Sequence, residues 1–96
     1  MHARVSTYQT DDADGLVQGF ASVTDELAQV DGFSHGYFLV DRESGKGASI
    51  TIWENEEALR ASSSQADQLR KRGTEPSGSR ILSVDNYEIV QTIGTP

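Results

Sequence analysis

Hydrophobic and polar residues alternate along four segments of the chain, and this alternation predicts β-strands. The segments are residues 3–9, 33–41, 46–53 and 80–91. Only a short polar turn separates the second segment from the third, so we expect those two strands to be antiparallel neighbours. A loop that contains proline and glycine precedes the last strand.

Two segments between the predicted strands have a helical period instead. In the first, apolar residues recur every three or four positions and form one stripe, as in an amphipathic helix. They are Leu16, Phe20, Val23, Leu27 and Val30. The second segment, residues 56–72, follows Asn55, a residue type that caps helices by accepting from backbone amides. Its predicted buried stripe is made mostly of small residues, which favours a close approach to the sheet: Leu59, Ser62, Ser63, Ala66 and Leu69.

The order of these elements, β-α-β-β-α-β, predicts a ferredoxin-like α+β fold. In this fold an antiparallel sheet carries two helices on one face. We expect one domain over residues 1–96, because a chain of this length supports a single hydrophobic core. The opposite face of the sheet has no helix to cover it.

Period-two alternation divides the strand residues between the two faces of the sheet. If Ile50 and Ile52 lie beneath the helices, the uncovered face carries a group of rings with polar tips. The predicted group is Tyr8, His35, Tyr37, Trp53 and Tyr87. The side on which His35 and Tyr87 lie stays open, because the second strand is apolar on both faces and a bulge near residues 85–86 would reset the register of the last strand. An exposed aromatic patch usually marks an interface or a ligand site, so we expect a homodimer that closes over a shared cavity.

Composition excludes several kinds of function. The formal charge of −7 and the pI near 4.6 argue against nucleic-acid binding, which needs a clustered positive surface. The basic cluster at residues 70–72 is interpreted as a partner of the helix dipole. The chain has no cysteine, hence no disulfide, thiolate nucleophile or sulfur-ligated metal. No apolar run reaches membrane-spanning length, so we expect a cytoplasmic protein with no membrane association.

Acidic residues are concentrated at the starts of both predicted helices, at residues 11–14 and 54–57. Negative charge is favourable at that end of a helix, and this explains both clusters. Neither has the spacing of a calcium-binding loop. The sequence therefore predicts no metal site.

In this order and at these spacings, five segments resemble the antibiotic biosynthesis monooxygenase-like family of the dimeric α+β barrel superfamily. They are residues 3–9, 31–38, 41–46, 51–58 and 84–89. The resemblance spans most of the chain from residue 2 to about residue 90. It implies a homodimer whose two sheets form one barrel, with a small molecule bound within the barrel or between sheet and helices.

Members of this family include cofactor-free oxygenases of phenolic or quinol-like polyketides, so the resemblance implies oxidation of a small aromatic substrate without a cofactor. Haem-degrading relatives use an Asn on the first strand and a Trp and a His on the second helix. The chain has none of these at the corresponding elements, and its histidines are His2 and His35. Haem degradation is therefore not expected.

The candidate site follows from the predicted faces. His35 is the candidate base or hydrogen-bond partner, because a histidine titrates near neutral pH. Tyr8, Tyr37 and Trp53 are the candidate pocket wall. Their structural alternatives are a strand histidine satisfied by a neighbour or by solvent, and aromatic rings that only pack. Two further functions stay open, a dimer that binds a small ligand without turnover and a purely structural dimer. Oxygen consumption that is strongly reduced in His35→Ala would support the enzyme.

Overall fold

The chain forms one four-stranded sheet with its helices on one side, in a computed structural model that describes residues 1–94. Residues 95 and 96 of the predicted domain lie outside the described part. The elements in chain order are β1 His2–Gln9, α1 Ala13–Ala28, β2 Phe33–Asp41, β3 Lys46–Trp53, α2 Glu56–Ala61, α3 Ser63–Thr74 and β4 Arg80–Glu88.

The strand order across the sheet is β2-β3-β1-β4, and every neighbouring pair is antiparallel. This is the predicted ferredoxin-like α+β fold, with the β2–β3 hairpin where the short polar turn predicts it. The strand bounds agree with the sequence to within three residues, the largest difference being the end of β4 at Glu88 instead of residue 91. Among the described residues, no helix is long and apolar enough to cross a membrane.

Side-chain caps start the first two helices. The Asp12 carboxylate accepts from the Gly15 amide at 2.9 Å, and the Asn55 side chain accepts from the Ala58 amide at 2.8 Å. Each cap satisfies a backbone donor that the first helical turn cannot. The cap predicted at Asn55 is therefore confirmed.

The second predicted helix is divided into α2 and α3 at Ser62. In an unbroken helix the Leu59 carbonyl would accept from the amide four residues later. Here it accepts from the Arg4 guanidinium of β1 at 2.6 Å, and from the Ser62 hydroxyl at 2.9 Å. A strand residue thus holds the junction of the two helices.

The hydrophobic core lies between the helices and the sheet. All five residues of the α1 stripe predicted from the sequence are buried. On the other helical segment Leu59, Ser62, Ala66 and Leu69 are buried as predicted, whereas Ser63 is exposed. The main cluster joins α1 to Trp53, Leu59 and Leu69. A second cluster contains Tyr8, Leu16 and Phe20.

The predicted assignment of β1 and β3 residues to the two faces is wrong. Ser49, Thr51 and Trp53 point toward the helices, while Ile50 and Ile52 lie on the uncovered face. Tyr8 also points toward the helices. The assumption behind the prediction, that the more apolar side of a strand is covered, fails here because the covered side is lined with polar groups. A cavity between the sheet and the helices accounts for them.

The face on which His35 lies, left open by the sequence, is the uncovered one. Phe38 packs against the α1 side, and His35, Tyr37 and Leu39 are exposed on the uncovered face. Tyr87 lies across from Ala3 of β1 and therefore shares the uncovered face. The pairing of β1 with β4 changes register between Thr7, which lies opposite Ser83, and Tyr8, which lies opposite Ile81. The irregularity is therefore nearer the start of β4 than the bulge predicted at residues 85–86.

Candidate functional site

A cavity of about 40 Å³ lies between the sheet and helices α1 and α3. Its wall is mixed. Most of the strand residues have polar tips, with Phe38 as the apolar exception, and most of the helix residues are apolar, with Arg70 as the charged exception. The lining residues are Arg4, Ser6, Tyr8, Phe20, Val23, Leu27, Phe38, Ser49, Thr51, Ala66, Leu69, Arg70 and Gly73.

Aromatic rings form one end of this cavity. Phe20 of α1 stacks on Phe38 of β2 with ring centroids 4.3 Å apart and an interplanar angle of 12°. Tyr8 meets Phe20 edge to face at 5.4 Å. The negative ring face and positive ring edge favour both arrangements. The wall presented to a ligand here is flat, apolar and held by three elements of the fold.

Hydroxyl groups line the sheet side. The Tyr8 hydroxyl and the Ser49 hydroxyl are hydrogen bonded at 2.9 Å, both buried. The Trp53 indole donates to the Thr51 hydroxyl at 3.0 Å. These side chains alternate along β1 and β3, so the pleat brings them to the same face.

Arg4 is the most unusual residue of the site, because this arginine is only 3% exposed and lies on β1, one of the two central strands of the sheet. Besides the Leu59 carbonyl, it donates to the Ser62 hydroxyl at 3.3 Å and to the Ser63 hydroxyl at 3.1 Å. Its carbon centre lies 5.5 Å above the Trp53 ring, a cation–π distance. Burial lowers the pKa of Arg4, and the nearby positive charge of Arg70 lowers it further.

Arg70 brings a second guanidinium to the cavity from α3. Its Nε donates to the Ser6 hydroxyl at 3.1 Å, and its terminal nitrogen lies 3.3 Å from the Asp67 carboxylate. The side chain is only 8% exposed. The sequence interpretation of residues 70–72 as one group at the helix dipole is wrong for Arg70, which turns inward. Arg72 instead makes a bidentate pair with Glu26 of α1.

Sequence reasoning missed both arginines as site residues, although each had a signal. Arg4 alternates with Ser6 and Tyr8 on β1, so the three share one face. Arg70 lies four residues after Ala66 of the buried stripe, which puts it on the same side of the helix. The interpretation of residues 70–72 as partners of the helix dipole hid Arg70, and the wrong face assignment of β1 hid Arg4.

The predicted site residues divide between two faces of the sheet. Tyr8 lines the cavity. Trp53 is completely buried below Arg4 and contacts Phe33 edge to face at 5.5 Å, so its predicted position on the uncovered face is wrong. His35 and Tyr37 lie together on the uncovered face, with ring centroids 6.0 Å apart. The His35 Nδ1 is 2.9 Å from the Ser34 hydroxyl. The structure therefore does not bring His35 and Tyr8 to the same space.

Within residues 1–94, no group of three or more histidine and acidic side chains is close enough to hold a metal ion. The chemistry that the cavity can supply is different. Buried guanidinium groups stabilise negative charge on oxygen, and low dielectric strengthens that interaction. The hydroxyls can orient polar substituents, and the rings can hold a flat apolar body.

Solved structures with the same fold cover nearly the whole chain. A protein described as an antibiotic biosynthesis monooxygenase from Deinococcus radiodurans has a TM-score of 0.76 at 18% identity, covering 100% of this chain and 99% of its own. SnoaB, a cofactor-independent oxygenase from Streptomyces nogalater, has a TM-score of 0.76 at 18% identity, with 98% and 97% covered. The haem degrader MhuD from Mycobacterium tuberculosis has a TM-score of 0.73 at 18% identity, with 98% and 100% covered.

The chain shares the fold of these antibiotic biosynthesis monooxygenase-like proteins, so the ferredoxin-like α+β fold expected for one chain is confirmed. No protein-family model and no curated protein matches the sequence. Because the identities are low, the likeness extends to the fold and leaves the reaction to be argued from the site.

Proposed function

We propose that the protein is a cofactor-independent monooxygenase-like enzyme that oxidises a small aromatic or polyketide-like substrate in the cavity between sheet and helices. The observation that carries the proposal is the buried Arg4 guanidinium at the wall of a cavity lined by rings and hydroxyls. The shared fold with SnoaB, described as a cofactor-independent oxygenase, supports the reaction class.

The reaction needs a substrate that can lose a proton and pass electrons to O₂. In the proposed reaction a ring methylene group and one O₂ become a carbonyl group and one water molecule. One oxygen atom enters the product, the other leaves in water, and both C–H bonds supply the electrons and protons. Positive charge at Arg4 and Arg70 lowers the free energy of the oxyanion that forms when the substrate is deprotonated.

His35 remains the proposed base only for a substrate on the uncovered face, where Tyr37 lies beside it. A base at that position would act within a space closed by a second copy of the chain. The two locations predict different mutational results, because Arg70 reaches only the cavity and His35 only the uncovered face.

Oxygen uptake with a panel of anthrone-type phenols, with and without a carboxyl group, tests the proposal. We expect wild-type protein to consume O₂ with at least one of them. Arg70→Gln should lose at least about tenfold in rate, since removing one oxyanion-stabilising donor typically costs about 10²–10³. His35→Ala should keep the wild-type rate. Loss in His35→Ala with a normal rate in Arg70→Gln would move the site to the uncovered face. No uptake with any compound would refute the enzyme.

A second candidate is a homodimer that binds a small ligand without turnover, or one that is purely structural. It is favoured by the size of the cavity, since about 40 Å³ holds roughly three water molecules and no whole aromatic substrate. Ligand binding without turnover would raise the melting temperature with no oxygen uptake. A structural dimer would show neither response.

A further inference from the structure

The cavity between the sheet and the helices carries an excess positive charge. Arg4 and Arg70 contribute two positive charges to its wall. The exposed Asp67 carboxylate beside Arg70 is shared with Lys71, and it lies 3.3 Å from a nitrogen of each. Within residues 1–94 no carboxylate forms an ion pair with Arg4. Its partners are a backbone carbonyl and two serine hydroxyls, all neutral.

A buried charge without a counter-charge is costly, even when it is hydrogen bonded. Burial disfavours the charged form of Arg4, and for the same reason it lowers the pKa of this guanidinium. An anion in the cavity would remove the cost and would gain charge-assisted hydrogen bonds in return. Among the described residues, Arg4 thus lacks a negatively charged partner.

We propose that the ligand of this cavity is an aromatic monocarboxylate, whose carboxylate lies between Arg4 and Arg70 and whose ring lies against Phe20 and Phe38. The inference rests on the proposed function for the location of the site. It adds the class of substrate, an acid that enters the cavity already charged.

Several features favour a carboxylate over a phenol. A carboxylic acid is ionised at neutral pH, whereas a phenol, with a pKa near 10, must first lose its proton. The planar guanidinium matches the geometry of a carboxylate. Arg4 has no carboxylate partner within residues 1–94, and a monocarboxylate would supply one.

Room for the ring must come from a side chain that can move. At about 40 Å³ the cavity is too small for a whole aromatic acid. Among its lining residues Arg70 has a long side chain, which is held by the Ser6 hydroxyl and by the exposed Asp67 carboxylate. We infer that Arg70 turns toward Asp67 as the ring enters, and then closes on the carboxylate.

The experiment compares the binding of benzoate with that of benzamide, a neutral compound of the same shape. Calorimetry measures affinity, and fluorescence of Trp53, the one tryptophan of the sequence, reports on the adjacent Arg4. We expect benzoate to bind at least tenfold more tightly than benzamide. Equal affinities would overturn the inference.

Substitutions of single arginines test whether benzoate binds in this cavity. Arg70→Gln should lose at least fivefold in benzoate affinity and leave benzamide unchanged. Arg60→Gln removes the same charge from an exposed position of α2 and should bind benzoate as wild type does. Arg4→Gln should also lose affinity for benzoate. Because Arg4 holds the α2–α3 junction, the circular dichroism spectrum of this variant must equal that of the wild type for the comparison to be valid. An unchanged benzoate preference in Arg70→Gln would refute the inference.

Oxygen uptake separates this inference from the proposed function. Selective benzoate binding in a protein that oxidises none of the anthrone-type phenols, with or without a carboxyl group, supports the ligand class and refutes the enzyme. Oxidation of the neutral anthrone-type phenols at the rate of their carboxylated analogues supports the enzyme and refutes the ligand class.

Discussion

Gly19 of α1 and Gly73 of α3 cross so closely that a Cβ atom placed on Gly19 would lie 1.8 Å from the Gly73 carbonyl oxygen. The converse contact is looser, since a Cβ atom on Gly73 would be 3.3 Å from the Gly19 carbonyl oxygen. The two helices therefore meet backbone to backbone. Because Gly73 also lines the cavity, this crossing sets how near α3 lies to the sheet-facing site.

We predict that Gly19→Ala destabilises the protein although alanine is the better helix former. Relief of the clash requires the helices to separate, and overpacking of this kind typically costs about 1–3 kcal/mol. That exceeds the intrinsic helical advantage of about 1 kcal/mol. Urea unfolding followed by circular dichroism measures the difference.

Gly73→Ala is the matched control for that prediction. Its Cβ atom meets a tight contact instead of an overlap, so the loss should be smaller than in Gly19→Ala. Equal stability of Gly19→Ala and wild type would contradict the close crossing of α1 and α3.

Tyr8→Phe should weaken the protein by about 1 kcal/mol, because the buried Ser49 hydroxyl loses its partner. Ser49→Ala should cost a similar amount, and the double variant less than the sum of the two. Unfolding free energies of the four proteins give the coupling energy. Additive losses would mean that the two hydroxyls do not depend on each other.

Most of the fold was predictable from the sequence because its signals are local. The α1 stripe at spacings of three and four and the Asn55 cap each depend on neighbouring residues. The division of the second helix at Ser62 was not predictable in that way. It depends on Arg4, which is 58 residues away and competes for the Leu59 carbonyl.

The candidate site was predicted less well, for a physical reason. The prediction placed Ile50 and Ile52 beneath the helices because they are apolar. In the structure the helix side of β3 instead carries Ser49 and Thr51, which line the cavity. A cavity lined by polar side chains departs from the rule that polar residues face water. Tyr8 was recognised as a site residue but placed on the wrong face, and Arg70 was interpreted as a partner of the helix dipole.

The Glu26–Arg72 pair stabilises the protein at neutral pH, and we expect this contribution to be lost in acid. The hydrogen bond from Arg72, followed by its charge, lowers the pKa of Glu26. A carboxyl whose pKa is lower in the folded state stabilises above its unfolded value, near 4.3, and this contribution is lost as the pH falls through the folded pKa. Arg72→Gln should therefore flatten the fall in stability on the acid side.

An NMR titration of the Glu26 side chain measures the pKa directly. In Arg72→Gln it should rise toward the unperturbed value, while in Lys71→Gln, which removes the same charge one residue earlier, it should stay low. Lys71 pairs with Asp67, so its loss leaves the Glu26 contact intact. A Glu26 pKa that is the same in both variants would contradict the pairing.

The uncovered sheet face is the proposed interface of the homodimer, and Leu39 tests it. Tyr37, Leu39 and Tyr87 are 52%, 48% and 54% exposed there, more apolar area than a strand face in water usually presents. Leu39→Glu would bury a carboxylate in each copy, so we expect light scattering to change from the mass of two chains to that of one. Gln18→Glu, which adds the same charge on the exposed side of α1, should leave the mass unchanged. If the wild-type protein scatters light with the mass of a single folded chain, the proposed homodimeric barrel is refuted. The enclosed space that a base at His35 requires would then not exist.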